Sequence, residues 1–272
     1  MKPALYALLA LSACSHPAPV APTDQALSRF EHAGDIALAQ ELPAQAAEQY
    51  RAALTRARER DDAGAIADAG FNLAAAQLAA NDPGTALQTA ENLRAELKRR
   101  TLTDPALDLI TATALFRTNR LAEADRWAST LTTTASLSNP AWFLRGLIAD
   151  SHHDRATLQH AASALTSQAD PGDQTELQAR VTRDPTLALA AADIRRTALD
   201  YRGMARCLAL AAHDTPDPAR AADLYLRAGR SAAAQHDAGQ ARIWLMQARS
   251  DAREPVLRRD VERAIDSLKE VQ

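Results

Sequence analysis

The chain has 272 residues, with 31 Lys and Arg against 34 Asp and Glu, a net charge of −3, and 47% hydrophobic but only 4% aromatic residues. Acids and bases interleave, so there is no basic patch to neutralise phosphates, and nucleic-acid binding is excluded as a main activity. No segment alternates Val, Ile and Thr with polar residues as a strand requires, which leaves an all-α chain packed largely through alanine.

Residues 1–13 read as an address, a signal peptide. Lys2 supplies the positive start, and residues 4–11 form an apolar run far short of the roughly 20 residues of a membrane helix. The run ends in Leu11-Ser12-Ala13-Cys14, which resembles the lipobox of bacterial lipoproteins. The resemblance implies cleavage before Cys14, lipidation of its thiol and acylation of its new amino group, and several acyl chains on one residue make a stable anchor. The alternative is an ordinary secretory peptide with an incidental cysteine. Ser15, rather than an aspartate, follows Cys14, and the sorting rule of Gram-negative lipoproteins then implies the outer membrane, facing the periplasm. In residues 14–23, Pro17, Pro19 and Pro22 favour an extended, polyproline-like spacer. With Cys14 lipidated, Cys207 has no disulfide partner, and its place in the apolar run 204–212 marks it as a buried thiol.

Residues 24–272 carry a repeat. Phe30, Gly34, Ala46, Tyr50 and Ala53 form a ladder with spacings of 4, 12, 4 and 3. The ladder returns as Trp142, Gly146, Leu158, Ala162 and Leu165, and again as Tyr225, Gly229, Ala241, Leu245 and Ala248. Residues four apart share a helix face, so the aromatic and the glycine lie on one stripe. The glycine admits a second helix closely, and the turn near Leu42 and Pro43 makes the unit an antiparallel helical hairpin. One hairpin cannot bury its apolar face alone, so copies must stack. Weaker copies run through Ala74, Ala86, Ala90 and Leu93, and through Ala112, Ala124, Ala128 and Leu131. In the least regular one, Asp193 stands in the small position ahead of Ala205, Ala209 and Ala212. The pattern resembles the tetratricopeptide repeat and implies an all-α superhelix of about six hairpins with a C-terminal capping helix.

Asp82-Pro83, Asp104-Pro105, Asn139-Pro140, Asp184-Pro185 and Asp217-Pro218 each pair an N-cap with a proline at the first helical position, and Glu254-Pro255 is a weaker version. Pro105 to Pro140 is 35 residues and Pro185 to Pro218 is 33, but Pro140 to Pro185 is 45. The excess lies in residues 169–183, where Pro171-Gly172 reads as a turn and residues 174–182 as a short extra helix. Residues 255–271 form an amphipathic helix with Leu257, Val261, Ala264, Ile265 and Leu268 on its apolar stripe. It reads as the cap of the stack, with a partner-binding helix as the alternative.

No phosphate-binding glycine loop, GxSxG, HExxH or CxxC is present, so no catalytic, cofactor or metal residues are assigned. Ser151-His152-His153-Asp154, with His160 nearby, is the one cluster to weigh, and its place between two helices makes it a polar turn. In the resembled family the first helix of each unit lines the concave face. In this register that face includes Phe71, Leu78, Leu109, Phe116, Phe143, Leu147, Ile194 and Leu226. Glu31 and Asp35 stand where a carboxylate clamp would have basic or amide groups, which disfavours a chaperone C-terminus as ligand. An apolar groove suits an amphipathic helix or extended apolar peptide, and a register error of one residue would turn the three phenylalanines into core. The resulting expectation is a non-enzymatic scaffold or assembly factor, without cofactor, that binds a protein of an envelope complex. The alternative is a glycan-binding protein or a regulator of a cell-wall enzyme. Trp127, Trp142 and Trp244, assigned to packing positions or second helices, count against that alternative.

Overall fold

The computed structural model describes residues 24–270; the signal segment, Cys14, the proline spacer and residues 271–272 lie outside the described residues. Among the described residues every regular element is a helix. Six hairpins pair α1 (Gln25–Ala39) with α2 (Pro43–Glu59), α3 (Ala63–Ala79) with α4 (Pro83–Arg99), and α5 (Pro105–Arg117) with α6 (Leu121–Leu131). Next come α7 (Ser138–Ser151) with α8 (Arg155–Ala164), α10 (Pro185–Thr197) with α11 (Tyr201–Asp214), and α12 (Pro218–Ala234) with α13 (Ala238–Asp251). Between the fourth and fifth hairpins stands the single helix α9 (Pro171–Thr182), and α14 (Pro255–Glu270) ends the stack. Each helix packs on its successor, and α14 buries Val261, Ala264 and Leu268 in the core it shares with α12 and α13.

Aspartates start most helices. Asp82, Asp104, Asp184 and Asp217 accept hydrogen bonds from free N–H groups ahead of proline-led helices, as their sequence implies. Asn139-Pro140 does not act this way. Helix α7 begins at Ser138, and the Asn139 side chain instead ties down Thr166 in the α8–α9 connection. Nor is Pro171-Gly172 a turn: Asp170 caps Gly172 and Asp173, and Pro171 opens α9.

The tight turns share a left-handed residue, and none of these is glycine: Glu41, Asn81, Asn119, His153, Leu199 and His236 each have φ near 60°. Seven residues before Glu41, Asn81, Asn119, His153 and His236 stand Gly34, Ala74, Ala112, Gly146 and Gly229, the small positions of their hairpins. The same count from Leu199 gives Ala192, which is buried, whereas Asp193 is exposed. The fifth ladder is therefore displaced by one residue from the sequence reading, and no aspartate sits at the crossing. Leu199 itself is 62% exposed at φ 59, a conformation that costs a non-glycine residue about 1–2 kcal/mol and that asparagine tolerates better. Leu199→Asn is expected to stabilise the protein by about 1 kcal/mol, raising Tm by about 2–4 °C in a thermal melt.

The crossings are as close as the small residues suggest. A Cβ added at Gly34 would lie 2.6 Å from the Tyr50 ring, and one at Gly229 would lie 2.6 Å from Leu245 Cγ. Aromatic or leucine side chains of the second helix thus occupy the space a side chain would need.

The odd helix changes the architecture. In a stack of hairpins first helices form one layer and second helices the other. Helix α9 stands in the first-helix layer without a mate of its own, since α10 packs on it and then pairs with α11. From there the layers exchange, and α11 and α13 take the side held by α5 and α7. The stack also curls until its second hairpin meets its sixth. Asn81, in the α3–α4 turn, donates to the His236 carbonyl at 3.2 Å and accepts from Arg202 of α11 at 2.8 Å. The groove of the sequence reading is thus the interior of a closed turn.

Candidate functional site

The curl surrounds an open cavity of about 900 Å³. One wall is α5 and α7, with Leu109, Thr113, Phe116, Phe143, Leu144 and Leu147; the facing wall is α11 and α13, with Arg202, Ala205, Arg206, Gln240, Ile243 and Trp244. Leu121, Pro140, Gln235 and Asp237 complete much of the rim. This volume falls in the range of small-ligand sites, about 300–1,000 Å³, and the mixture of apolar wall with a few polar groups is typical of them.

The polar groups are unusual in sign. Arg117, at the end of α5, donates to the Leu78 carbonyl and to Asn81 Oδ1, both neutral acceptors. Among the described residues it makes no ion pair. Arg202 Nη1 donates to the same Asn81 Oδ1 at 2.8 Å, lies 3.7 Å from Asp237, and leaves its Nη2 buried without a partner. Asp237 is already engaged as the N-cap of α13, accepting from the Gln240 N–H. Two guanidiniums therefore share one amide oxygen, and a single carboxylate, Asp237, pairs with Arg202 through its other oxygen. Burial, reinforced by the charge of Arg202, lowers Arg117 to about 10. Burial also lowers Arg202, outweighing the pull of Asp237 and Asp200.

Behind this end lies a buried ion cluster centred on Glu176 of α9, which is 0% exposed. Arg206 of α11 donates to both its carboxylate oxygens at 2.6 and 2.7 Å, Arg180 to Oε1 at 2.9 Å, and Arg195 of α10 to Oε2 at 3.2 Å. Asp150 of α7 pairs with Arg180, and Asp173 with Arg195. Burial alone would raise Glu176, but Arg206, Arg180 and Arg195 outweigh it and hold the carboxyl well below the ordinary range. At Asp173 the balance reverses, and burial pushes it up to about 6 against the pull of Arg195. The cluster locks α9 to α7, α10 and α11. Arg195 and Arg206 also lie over the Phe143 ring, at 5.2 and 5.6 Å from its centroid, which joins the cluster to the cavity wall.

Of the eight groove residues expected from sequence, Leu109, Phe116, Phe143 and Leu147 line the cavity together. Leu78 is buried in the core between hairpins, and Phe71 is half-buried outside the cavity. Ile194 and Leu226 belong to α10 and α12, which the layer exchange carries away from this interior, and Leu226 is core. The first-helix positions of the fifth hairpin, corrected by one residue to Leu189, Asp193 and Arg196, line a separate hollow of about 220 Å³ with Met204 and Arg227. Trp244, assigned from sequence to a second-helix packing position, lines the main cavity. Arg117, Arg202 and the Glu176 cluster were missed; the available signal was Arg206 standing inside the apolar run 204–212.

The histidine segment forms a turn. His152 is the C-cap of α7, His153 has φ 58, Asp154 caps α8 through the Thr157 N–H, and His160 packs edge-on to Trp142. Among the described residues no three His, Cys, Asp or Glu side chains converge as metal ligands. Cys207 is buried, and burial pushes its thiol up to about 12. Among the described residues no helix is long and apolar enough to cross a membrane.

No protein-family model matches the chain, and no curated protein does. Solved structures do. A tetratricopeptide repeat protein from Parabacteroides merdae is 14% identical, with a TM-score of 0.46 over 90% of this chain and 100% of its own. Pseudomonas aeruginosa pilF is 19% identical, with a TM-score of 0.43 over 88% of this chain and 98% of its own. The TPR2AB domain of yeast Sti1, solved with a pHSP90 partner, is 13% identical, with a TM-score of 0.34 over 89% of this chain and 98% of its own. By its own ladders and hairpins, the chain is an all-α, tetratricopeptide-like superhelix, interrupted by one odd helix.

Proposed function

We propose that the protein is a non-catalytic binding scaffold, held by lipid on Cys14 at the outer membrane and facing the periplasm, that captures an apolar segment of an envelope partner inside its curl. The observation that carries this reading is the continuous apolar wall of Leu109, Phe116, Phe143 and Leu147 on two neighbouring helices. A rigid wall of this kind takes up an apolar helix face or an extended apolar peptide with little reorganisation. The lipid would localise the protein, and the wall would do the recognising. Crosslinking in living cells, followed by isolation of the lipidated protein, is expected to recover one abundant envelope partner. Phe116→Glu with Phe143→Glu should lose it by tenfold or more while helicity is retained, because a carboxylate on the wall would be desolvated without a partner. Recovery of that partner by the double variant at the wild-type level would move the binding surface elsewhere.

Glycan binding is the second reading, favoured by one observation. Trp244 lines a cavity that also carries Gln235, Asp237 and Gln240. Retention on immobilised peptidoglycan that depends on Trp244 would establish it over the first.

A further inference from the structure

We propose that the arginine end of the cavity receives the carboxylate of a small amphiphile, a long-chain carboxylic acid whose apolar tail lies along Phe116, Phe143, Leu147 and Trp244. This goes beyond partner capture and does not require it, since it concerns only what the cavity itself can hold.

The charge balance is the starting point. Arg117 and Arg202 converge on Asn81 Oδ1, and the nearest carboxylate, Asp237, stands 3.7 Å from Arg202 while capping a helix. Taking a guanidinium partly out of water is costly, and two side by side with a single carboxylate, Asp237, leave one positive charge in excess. Arg202 Nη2 adds a buried donor with nothing to donate to. A carboxylate placed between the two guanidiniums would accept from both and neutralise the excess, since planar guanidinium forks match planar carboxylates.

The tail follows from the other wall. The remaining lining is mainly aliphatic and aromatic, and its volume of about 900 Å³ accommodates a molecule of this class. A peptide fits less well. Its backbone brings N–H donors that need acceptors, yet the one orphaned buried polar atom of the lining among the described residues is itself a donor. A carboxylate with a hydrocarbon tail asks only for donors at one end and apolar surface elsewhere.

Titration calorimetry of the full-length protein with sodium laurate below its micelle concentration tests this directly, with dodecyl maltoside and dodecyltrimethylammonium as neutral and cationic chains of equal length. Saturable laurate binding is expected, with no comparable binding of the other two. Arg117→Gln and Arg202→Gln should each weaken it about tenfold or more, as expected for loss of a charge-assisted hydrogen bond. Asn81→Asp gives a readout that a structural role for the arginines would not. It places a carboxylate where the ligand's would sit, so it should abolish laurate binding while the fold is retained, the gained ion pairs offsetting the lost hydrogen bond to the His236 carbonyl. Equal binding of all three chains, or laurate binding undiminished in Asn81→Asp, would overturn the proposal. So would displacement of laurate by an apolar hexapeptide with a free C-terminus that binds more tightly, an outcome that would leave partner capture standing. Recovery of no crosslinked partner from cells, with laurate binding intact, would instead remove partner capture and leave this site.

Discussion

Glu176→Ala is expected to be the most destabilising single substitution in the chain. It removes the one carboxylate that accepts from Arg180, Arg195 and Arg206 and leaves three guanidiniums facing one another in a site that is 0% exposed at Glu176. Breaking a buried ion cluster from one side costs about 3–5 kcal/mol, because Arg206 loses its carboxylate while Arg180 and Arg195 keep Asp150 and Asp173 alone among the buried acids of the cluster. At roughly 2–4 °C per kcal/mol for a chain of this size, Tm should fall by about 10 °C. In a solenoid the loss need not be global, since each helix contacts only its neighbours. Hydrogen exchange should therefore locate it in α9, α10 and α11, with α1 to α4 little changed. Glu176→Gln should behave almost as badly, because it keeps the shape but not the charge. Protection in α9 equal to wild type would show that the helix is held by packing alone.

Gly146→Val is expected to loosen the same joint from its apolar side. A Cβ at this position would lie 2.7 Å from Leu177 Cδ2 and 3.4 Å from the Ala161 Cβ. Leu177 is fully buried, so it has no free space into which to retreat, and overpacking of this kind costs about 3 kcal/mol. The cost has a specific remedy. Leu177→Ala in the Gly146→Val background vacates the volume the new side chain claims, so the double variant should be more stable than the sum of the two single effects, as contacting residues are not additive. Additive losses measured in denaturant melts would mean that the two residues do not share that space.

These two residues also show how far the sequence could be read. Gly146 was legible, because a close helix crossing demands a small residue whatever surrounds it, and a recurring spacing of small residues records that demand. Leu177 and Glu176 were not legible. Their helix was legible as a short extra one over residues 174–182, in the surplus between Pro140 and Pro185, but not its packing partners, and Gly172 after Pro171 looked like a turn. Its lack of a side chain serves packing instead, since a Cβ there would sit 3.1 Å from Arg195 Nε. The same surplus explains why four of the eight expected groove residues share the cavity. Leu109, Phe116, Phe143 and Leu147 lie before the odd helix, where the first-helix rule places them on the interior. Ile194 and Leu226 lie after it, where the layers have exchanged, so a rule correct for each hairpin gives the wrong face. Trp244 was assigned away from the groove for the same reason. Arg117 and Arg202 are 85 positions apart, and no local pattern announces that the Asn81 turn brings them together.

The superhelix closes on itself, bringing the α3–α4 turn to the α12–α13 turn around the cavity. The most direct measurement is a crosslink between those turns. Asn81→Cys and His236→Cys would be combined in a chain with Cys14 and Cys207 replaced, and treated with a short bismaleimide under native conditions. Rapid intramolecular crosslinking, abolished in denaturant, is the expected result. A well-folded double-cysteine protein that labels at both sites yet never crosslinks would contradict it, and would mean an open superhelix whose two walls do not face each other.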